Sequence, residues 1–430
     1  MLDGRTMQLR VIPWAEPPPA GDPPADAVAL PMAQMLRFVA GRGLAALGDQ
    51  FLLFAIPLLV LKTTGSASLA GVGFLVEWLP RVLFMPFAGV LADRIGGYRL
   101  YLFADVFRAA LATAGFVLVM TWKSGQFGTL SELAAGMSLA GAQAYLAMET
   151  SLSRFIPDSQ MVRAQATIQG TEQGSAVLGP ALAAVLASVL DITDLLLVIG
   201  LLFAATALNT RSLRTMLRRE DAGGERPSVA SMLAGVRDGA GRLRRMPAMI
   251  GLVGLTMTVN LMIGVGMATA AVITTRTFGK PDGWFGTLST TAAVLSLLSF
   301  FLVPRIGRRL GAFPAILGSF ALICAGGLAV SQAGSFAAFA LGYAVLVGTV
   351  GVLNVFIRAE RIRRIPREHL GKTIGMWFLL NQSSLPLAGG VVALFVDRIG
   401  PQSVVLGSVV TSVVVAACLL PLLVKLRAPA

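Results

Sequence analysis

Gly89-Val90-Leu91-Ala92-Asp93-Arg94-Ile95-Gly96-Gly97-Tyr98-Arg99 lies between two long apolar runs. A charged, glycine-rich stretch in that position reads as a tight loop of about four to eight residues joining two transmembrane helices. Gly89 falls one helical turn before Asp93, where a missing side chain lets a neighbouring helix approach. Asp93 is placed to cap one helix and to face the positive N-terminal end of another. Arg94 and Arg99 would hold the loop on the positively charged side of a membrane.

The rest of the chain agrees with a membrane protein. Its 430 residues are 55% hydrophobic and 13% charged, with a mean hydropathy of +0.76. A soluble chain carries about 25% charged residues. Twelve apolar spans are predicted, at 38–61, 69–91, 100–120, 130–148, 164–190, 195–208, 250–273, 284–303, 312–330, 336–357, 373–396 and 403–424. The ninth and tenth share one uncharged run of about twice the length a bilayer needs, so it is divided at 331–335, Ser-Gln-Ala-Gly-Ser. With the N-terminus in the cytoplasm, 27 of the 35 Lys and Arg fall on the cytoplasmic side. Five fall outside and three, Arg42, Arg81 and Arg108, within helices. That bias fits the count and the orientation, and accounts for the net charge of +13 without nucleic acid.

Four regions are expected: a proline-rich disordered tail at 1–33, a six-helix bundle at 34–208, a cytoplasmic linker at 209–247 and a second bundle at 248–426. The linker starts as a charged run. It then places Val229, Met232, Leu233, Val236, Ala240 and Leu243 at helical spacing opposite Arg237, Arg242, Arg244 and Arg245. That pattern reads as an amphipathic helix on the inner leaflet or a solvated linker helix. The halves repeat: Pro157 and Gln173 recur as Pro366 and Gln382, and Arg94-Ile95-Gly96 recurs as Arg305-Ile306-Gly307 with Pro304 in place of Asp93. Two such halves suit a transporter that binds substrate near the midplane between them.

Charges inside a bilayer are costly and are functional candidates by default. Asp49, beside Gln50, lies about 11 residues into its helix, roughly 16 Å deep. It could carry a proton, bind a cationic substrate or make a structural hydrogen bond. Glu77 and Arg81, four apart, share a helix face, as do Asp105 and Arg108. Each couple either neutralises itself or serves the site, and Asp105 and Arg108 are grouped with the loop at Asp93. Glu149 and Glu172, with Gln169, Gln173, Gln143 and Tyr145, complete the first half's polar set. The second half offers the neutral Asn260, Asn354, Asn381 and Gln382 and the aromatics Trp284, Tyr343 and Trp377, of which Trp377 is favoured for the cavity. His369 reads as solvated, and Cys324 and Cys418 sit in apolar runs, so neither a metal site nor a disulfide framework is implied. No cofactor and no enzyme are expected: one histidine cannot furnish a Ser/His/Asp set, and no nucleotide loop is present, so any transport would be secondary.

The opening stretch resembles the signature loop of the major facilitator superfamily, G-x-x-x-D-R-x-G-R-R. Gly89, Asp93, Arg94 and Gly96 match, while Gly97 and Tyr98 replace the basic pair and Arg99 comes late. Residues 174–184 resemble the family's antiporter motif, G-x-x-x-G-P-x-x-G-G: Gly179-Pro180 is intact and Ser175, Ala183 and Ala184 replace glycines. The family's helix-4 arginine motif is missing. Gly48-Asp49-Gln50, Leu91-Ala92-Asp93-Arg94 and Gly179-Pro180 look like the branch that contains the enterobactin exporter and related drug pumps. The resemblance implies proton-coupled export of a small organic molecule across a bacterial inner membrane, a siderophore first and a lipophilic drug second. It implies alternating access, with Asp93 docking near residues 371–373. A membrane sensor or assembly partner without flux is the alternative. The implied partners are substrate, protons and the lipid bilayer; the oligomeric state is not encoded.

Overall fold

A computed structural model describes residues 32–121, 126–155, 158–212, 229–365 and 370–427. The proline-rich tail therefore lies outside the described residues. The chain is helical throughout the described part. The first six helices are α1 (Met32–Thr64), α2 (Ala67–Ile95), α3 (Gly97–Thr121), α4 (Gln126–Phe155), α5 (Asp158–Val189) and α6 (Asp194–Ser212). After α7 (Val229–Arg244) come α8 (Pro247–Val272, continued by a π-turn), α9 (Gly283–Phe300) and the short α10 (Val303–Leu310). Then follow α11 (Ala312–Ser331), α12 (Phe336–Gly348), α13 (Val350–Arg364), α14 (Leu370–Ile399) and α15 (Pro401–Leu423).

Among the described residues, eleven helices, counting α12–α13 as one, are long and apolar enough to cross a membrane. Their outer surfaces carry exposed Leu83, Leu201, Leu341 and Leu394, as a hydrocarbon environment requires. α4 falls outside that set because its 30 residues include Glu132, Gln143 and Glu149 among many small ones. It nonetheless packs lengthwise on α2 and α3.

Three boundaries differ from the sequence expectation. The loop at Asp93 is not four to eight residues long. α2 runs to Ile95 and α3 begins at Gly97, leaving Gly96 alone, at φ +92°, to reverse the chain. Glycine reaches that backbone region without the Cβ penalty, so one residue suffices. Its second copy is a helix, α10, opened by Pro304 at its first turn and ended by Gly311. The tenth span breaks at Thr349, whose hydroxyl donates back to the Val345 carbonyl at 2.7 Å. The division of the long uncharged run stands: α11 ends at Ser331, and the Ser335 side chain caps α12 by accepting from the Ala338 amide at 3.3 Å.

Within the first half α1 packs on α5 and α6, α3 on α4 and α6, and α2 on α4. In the second half α8 lies against α14 and α15, and α12 against α9 and α11. Two seams join the halves, α2 with α14 and α5 with α9. Both are closest at the end of the bundle where α1 turns into α2, here called the hairpin face. In the first seam, a Cβ on Gly71 would lie 2.6 Å from the Ala393 amide nitrogen, and one on Gly389 would lie 2.5 Å from that of Leu75. The Ser68 hydroxyl donates to the Ala393 carbonyl across it. In the second, a Cβ on Gly286 would meet the Pro180 carbonyl at 2.6 Å. With lipid as apolar as the side chains, close backbone packing of this kind is what holds membrane helices together. At the other end, the terminal face, α7 packs on α14, α2 and α8. Leu243 turns inward and Arg237 and Arg244 outward; the side chains of Val229, Met232, Leu233 and Val236 lie outside the described residues.

Candidate functional site

Two cavities occupy the middle of the bundle. The first, about 240 Å³, lies within the first half among α1, α2, α3, α4 and α5. Seven charged side chains line it: Arg42, Arg81 and Arg108 against Asp49, Glu77, Asp105 and Glu172. The second, about 230 Å³, lies between the halves and is mostly apolar. Gln50, Leu53 and Glu77 line both, so the cavities meet at these side chains.

The charges in the first cavity are sorted across helices. Asp49 on α1 pairs with Arg108 on α3. Arg108 also stands 3.8 Å from Asp105, and its guanidinium lies 3.6 Å from the centre of the Phe203 ring on α6. Arg42 on α1 pairs with Glu172 on α5 and stacks over Tyr145 on α4 at 5.8 Å. Arg108 is 2% exposed and Asp105 fully buried, whereas the Asp49 side chain is 45% exposed toward the cavity. Asp105 and Arg108 therefore line this cavity. The i,i+3 spacing was legible, but the third partner, Asp49, is 59 positions from Arg108 and was not.

Glu77 and Arg81 form no close ion pair with each other. Arg81 turns over the Trp78 ring, at 5.1 Å, and no ion pair within 4 Å joins it to Glu77. Glu77 is 5% exposed.

Of the other expected residues, Gln50 and Gln173 line the central cavity and Tyr145 the charged one. Gln143 is buried on α4, its carbonyl oxygen without a partner among the described residues, and it lines neither cavity. Trp377 is also misplaced by the sequence argument: it is 2% exposed and packs under Arg361 at 5.0 Å. The Asn260 amide donates to the Asn381 carbonyl at 3.3 Å, tying α8 to α14. Asn354 is exposed, and neither Gln382 nor the two cross-bonded asparagines line these cavities. The helix-5 motif is a packing joint: the Ser175 hydroxyl donates to the Gly43 carbonyl at 3.3 Å, Gly179 lies against Gln50, and Pro180 meets Gly286. Arg99 is exposed at the start of α3. The side chains of Gly89, Asp93, Arg94, Glu149 and Gln169 lie outside the described residues.

Sequence reasoning missed Arg42 and Tyr101 in the charged cavity, and Phe54, Phe74 and Phe285 in the central one. Arg42 lies two turns before Asp49 on one helix face, a signal that was available. Phe54 and Phe285 stack across the halves with centroids 5.5 Å apart, a contact no local pattern encodes.

No curated protein matches the chain. Among solved structures it is similar to a bacterial homologue of the iron transporter ferroportin in its inward-facing state, at 17% identity and TM-score 0.70, over 91% of this chain and 98% of that one. It is similar to the nucleoside transporter NupG at 14% identity and TM-score 0.70, over 90% and 98%. A POT family transporter in complex with 5-aminolevulinic acid aligns at 12% identity and TM-score 0.66, over 91% and 97%. At these identities the likeness is one of fold. A sequence profile of the Major Facilitator Superfamily matches residues 38–388, and the chain belongs to that family of transporters.

Proposed function

We propose that this chain is a proton-coupled secondary exporter of a small organic molecule, working by alternating access from a bacterial inner membrane. In this reading α4 is the twelfth span and both termini are cytoplasmic. The observation that carries it is Asp49: a membrane carboxylate, half open to a cavity, which among the described residues is salt-bridged only to a buried arginine. A proton arriving from the cavity would discharge Asp49 and release Arg108 toward Asp105. The two carboxylates compete for one guanidinium, so protonation of one and rearrangement of the other are linked. The seams at Gly71–Gly389 and Pro180–Gly286 close the hairpin face, which fits a state open to the cytoplasm. Asp93, docking near residues 371–373, would stabilise the opposite state.

A siderophore is the first substrate to test. A lipophilic drug is the second, favoured by the Phe54–Phe285 stack and by Phe74 and Tyr343 around the central cavity. The test is to delete the gene in its host and measure siderophore secreted under iron starvation, with total synthesis as control. Loss of secretion with intracellular accumulation is expected. Normal secretion would move the substrate to the drug class, and a chain that moves neither class would be a sensor or assembly partner.

A further inference from the structure

Four of the seven charges in the first-half cavity answer one another, as Arg42–Glu172 and Arg108–Asp49, and Asp105 stands 3.8 Å from Arg108. Glu77 and Arg81 are left over. They are one turn apart on α2 and line the same cavity. Side chains at this spacing stand about 5–6 Å apart at their Cβ atoms, close enough to pair. They do not pair, because Trp78 holds the Arg81 guanidinium over its ring at 5.1 Å. Among the described residues neither makes a hydrogen bond or an ion pair, and the Arg81 Nε is buried without a partner. An anion and a cation kept apart on one helix face, within a membrane, are costly unless something else occupies them.

We infer that Glu77 and Arg81 are the two poles of a site for a zwitterion: Glu77 takes an ammonium group, Arg81 takes a carboxylate, and an apolar group extends between the halves. The division of surroundings supports this. Glu77 borders both cavities, whereas Arg81 borders only the charged one. A ligand spanning the two poles would thus have its carboxylate deep in the first half. Its ammonium would lie at the junction, and the remainder would lie among Phe54, Phe74, Phe285 and Tyr343. Arginine suits the carboxylate end, since its planar fork donates to both oxygens together. The cavity volumes, about 240 and 230 Å³, suit a molecule of amino-acid size. This rests on the central cavities being the substrate path, and it narrows the substrate to molecules bearing both charges.

The test needs binding alone. The purified full-length chain in detergent is melted with phenylalanine, leucine or tryptophan, each supplied as the free amino acid, as its amide and as its N-acetyl derivative. The amide keeps only the ammonium and the N-acetyl form only the carboxylate, at nearly constant size. The free amino acids should raise the melting temperature, and each singly charged form should bind at least about tenfold more weakly, since a charged hydrogen bond is lost and its partner is left bare. Glu77→Gln should make the free and N-acetyl forms bind alike, while Arg81→Gln should make the free and amide forms bind alike. A merely structural role would weaken all three forms equally. Amides that bind as well as the free amino acids would overturn the inference in favour of a cation site, and absence of binding by every probe would overturn it outright. Because no flux or proton gradient enters the measurement, binding without export would instead count against the transport reading.

Discussion

The two halves of this molecule share a fold and differ in chemistry. The first six helices carry seven charged side chains into one cavity. The helices after α7 keep theirs at their ends, as with Glu360, which Arg363 and Arg364 hold at 2.8 and 2.9 Å near the terminal face. Across the second half's interior the contacts are neutral, such as the Ser412 hydroxyl on the Thr258 carbonyl at 3.1 Å. Yet the seams at the hairpin face are built alike, each by a glycine of one half against the backbone of the other. Shape is thus common to both halves, and charge belongs to one. In the proposed reading both halves move while only the first senses a proton or a charged ligand, and the asymmetry fits that division.

The sharpest way to break the contrast is to remove Arg108. It is 2% exposed and serves two carboxylates. Arg108→Leu would take from Asp49 its paired cation and from Asp105 the guanidinium 3.8 Å away. Removing one partner of a buried ion pair costs about 3–5 kcal/mol. The variant is expected to melt far below the parent in detergent, or to fail to accumulate in the membrane. Adding Asp49→Asn and Asp105→Asn should recover most of the loss. No recovery would mean that Arg108 acts through its stack on Phe203.

Asp49→Asn alone should spare the fold, because the amide can still accept from Arg108, and should strike coupling. In proteoliposomes the variant is expected to exchange substrate down its gradient while losing all accumulation driven by a pH gradient. Undiminished uphill transport would remove Asp49 from the coupling step and make Glu172 the next first-half carboxylate to test.

The seams test the shared part of the comparison. Gly71→Leu must push α2 off α14, since even a Cβ would lie 2.6 Å from the Ala393 amide nitrogen. Overpacking of this kind costs about 1–3 kcal/mol. Here it should appear chiefly as a population shift away from closure at the hairpin face, read as a longer spin-label distance between residues 66 and 400. Gly286→Leu in the other seam should give a shift of the same sign and similar size. Unequal shifts would show that one seam alone sets the closed state.

Much of the fold was legible because a bilayer imposes it. Span lengths, the break at 331–335 and the glycine in the first loop follow from hydrocarbon thickness and backbone geometry. α4 was legible as an element by its place between loops, though its polar residues deny it the usual apolar signature. The site was half legible. Helical spacing gave the couples Glu77–Arg81 and Asp105–Arg108. It could not tell which couple is self-contained, because that depends on third residues brought by other helices: Asp49 to Arg108, Trp78 to Arg81. It misjudged Trp377 because an aromatic beside polar neighbours in sequence can face protein as readily as cavity, and here it packs under Arg361.

The smallest expected effect sharpens the contrast from the neutral side. Ser412 is fully buried on α15, and its hydroxyl lies 3.1 Å from the Thr258 carbonyl on α8 and 2.8 Å from the Ser408 carbonyl in its own helix. Hydrogen bonds between membrane helices average about 0.6 kcal/mol, because the separated helices also find partners within themselves. The alternative bond to Ser408 shows such a partner, and both carbonyls belong to helices that bond them internally. Ser412→Ala should therefore lower stability by less than about 1 kcal/mol, with transport unchanged. Measured beside Arg108→Leu, it asks whether polarity as such holds the bundle or only charge does. A loss comparable to that of Arg108→Leu would mean that the neutral half is as tightly specified as the charged one. The asymmetry would then lie in the ligand site alone.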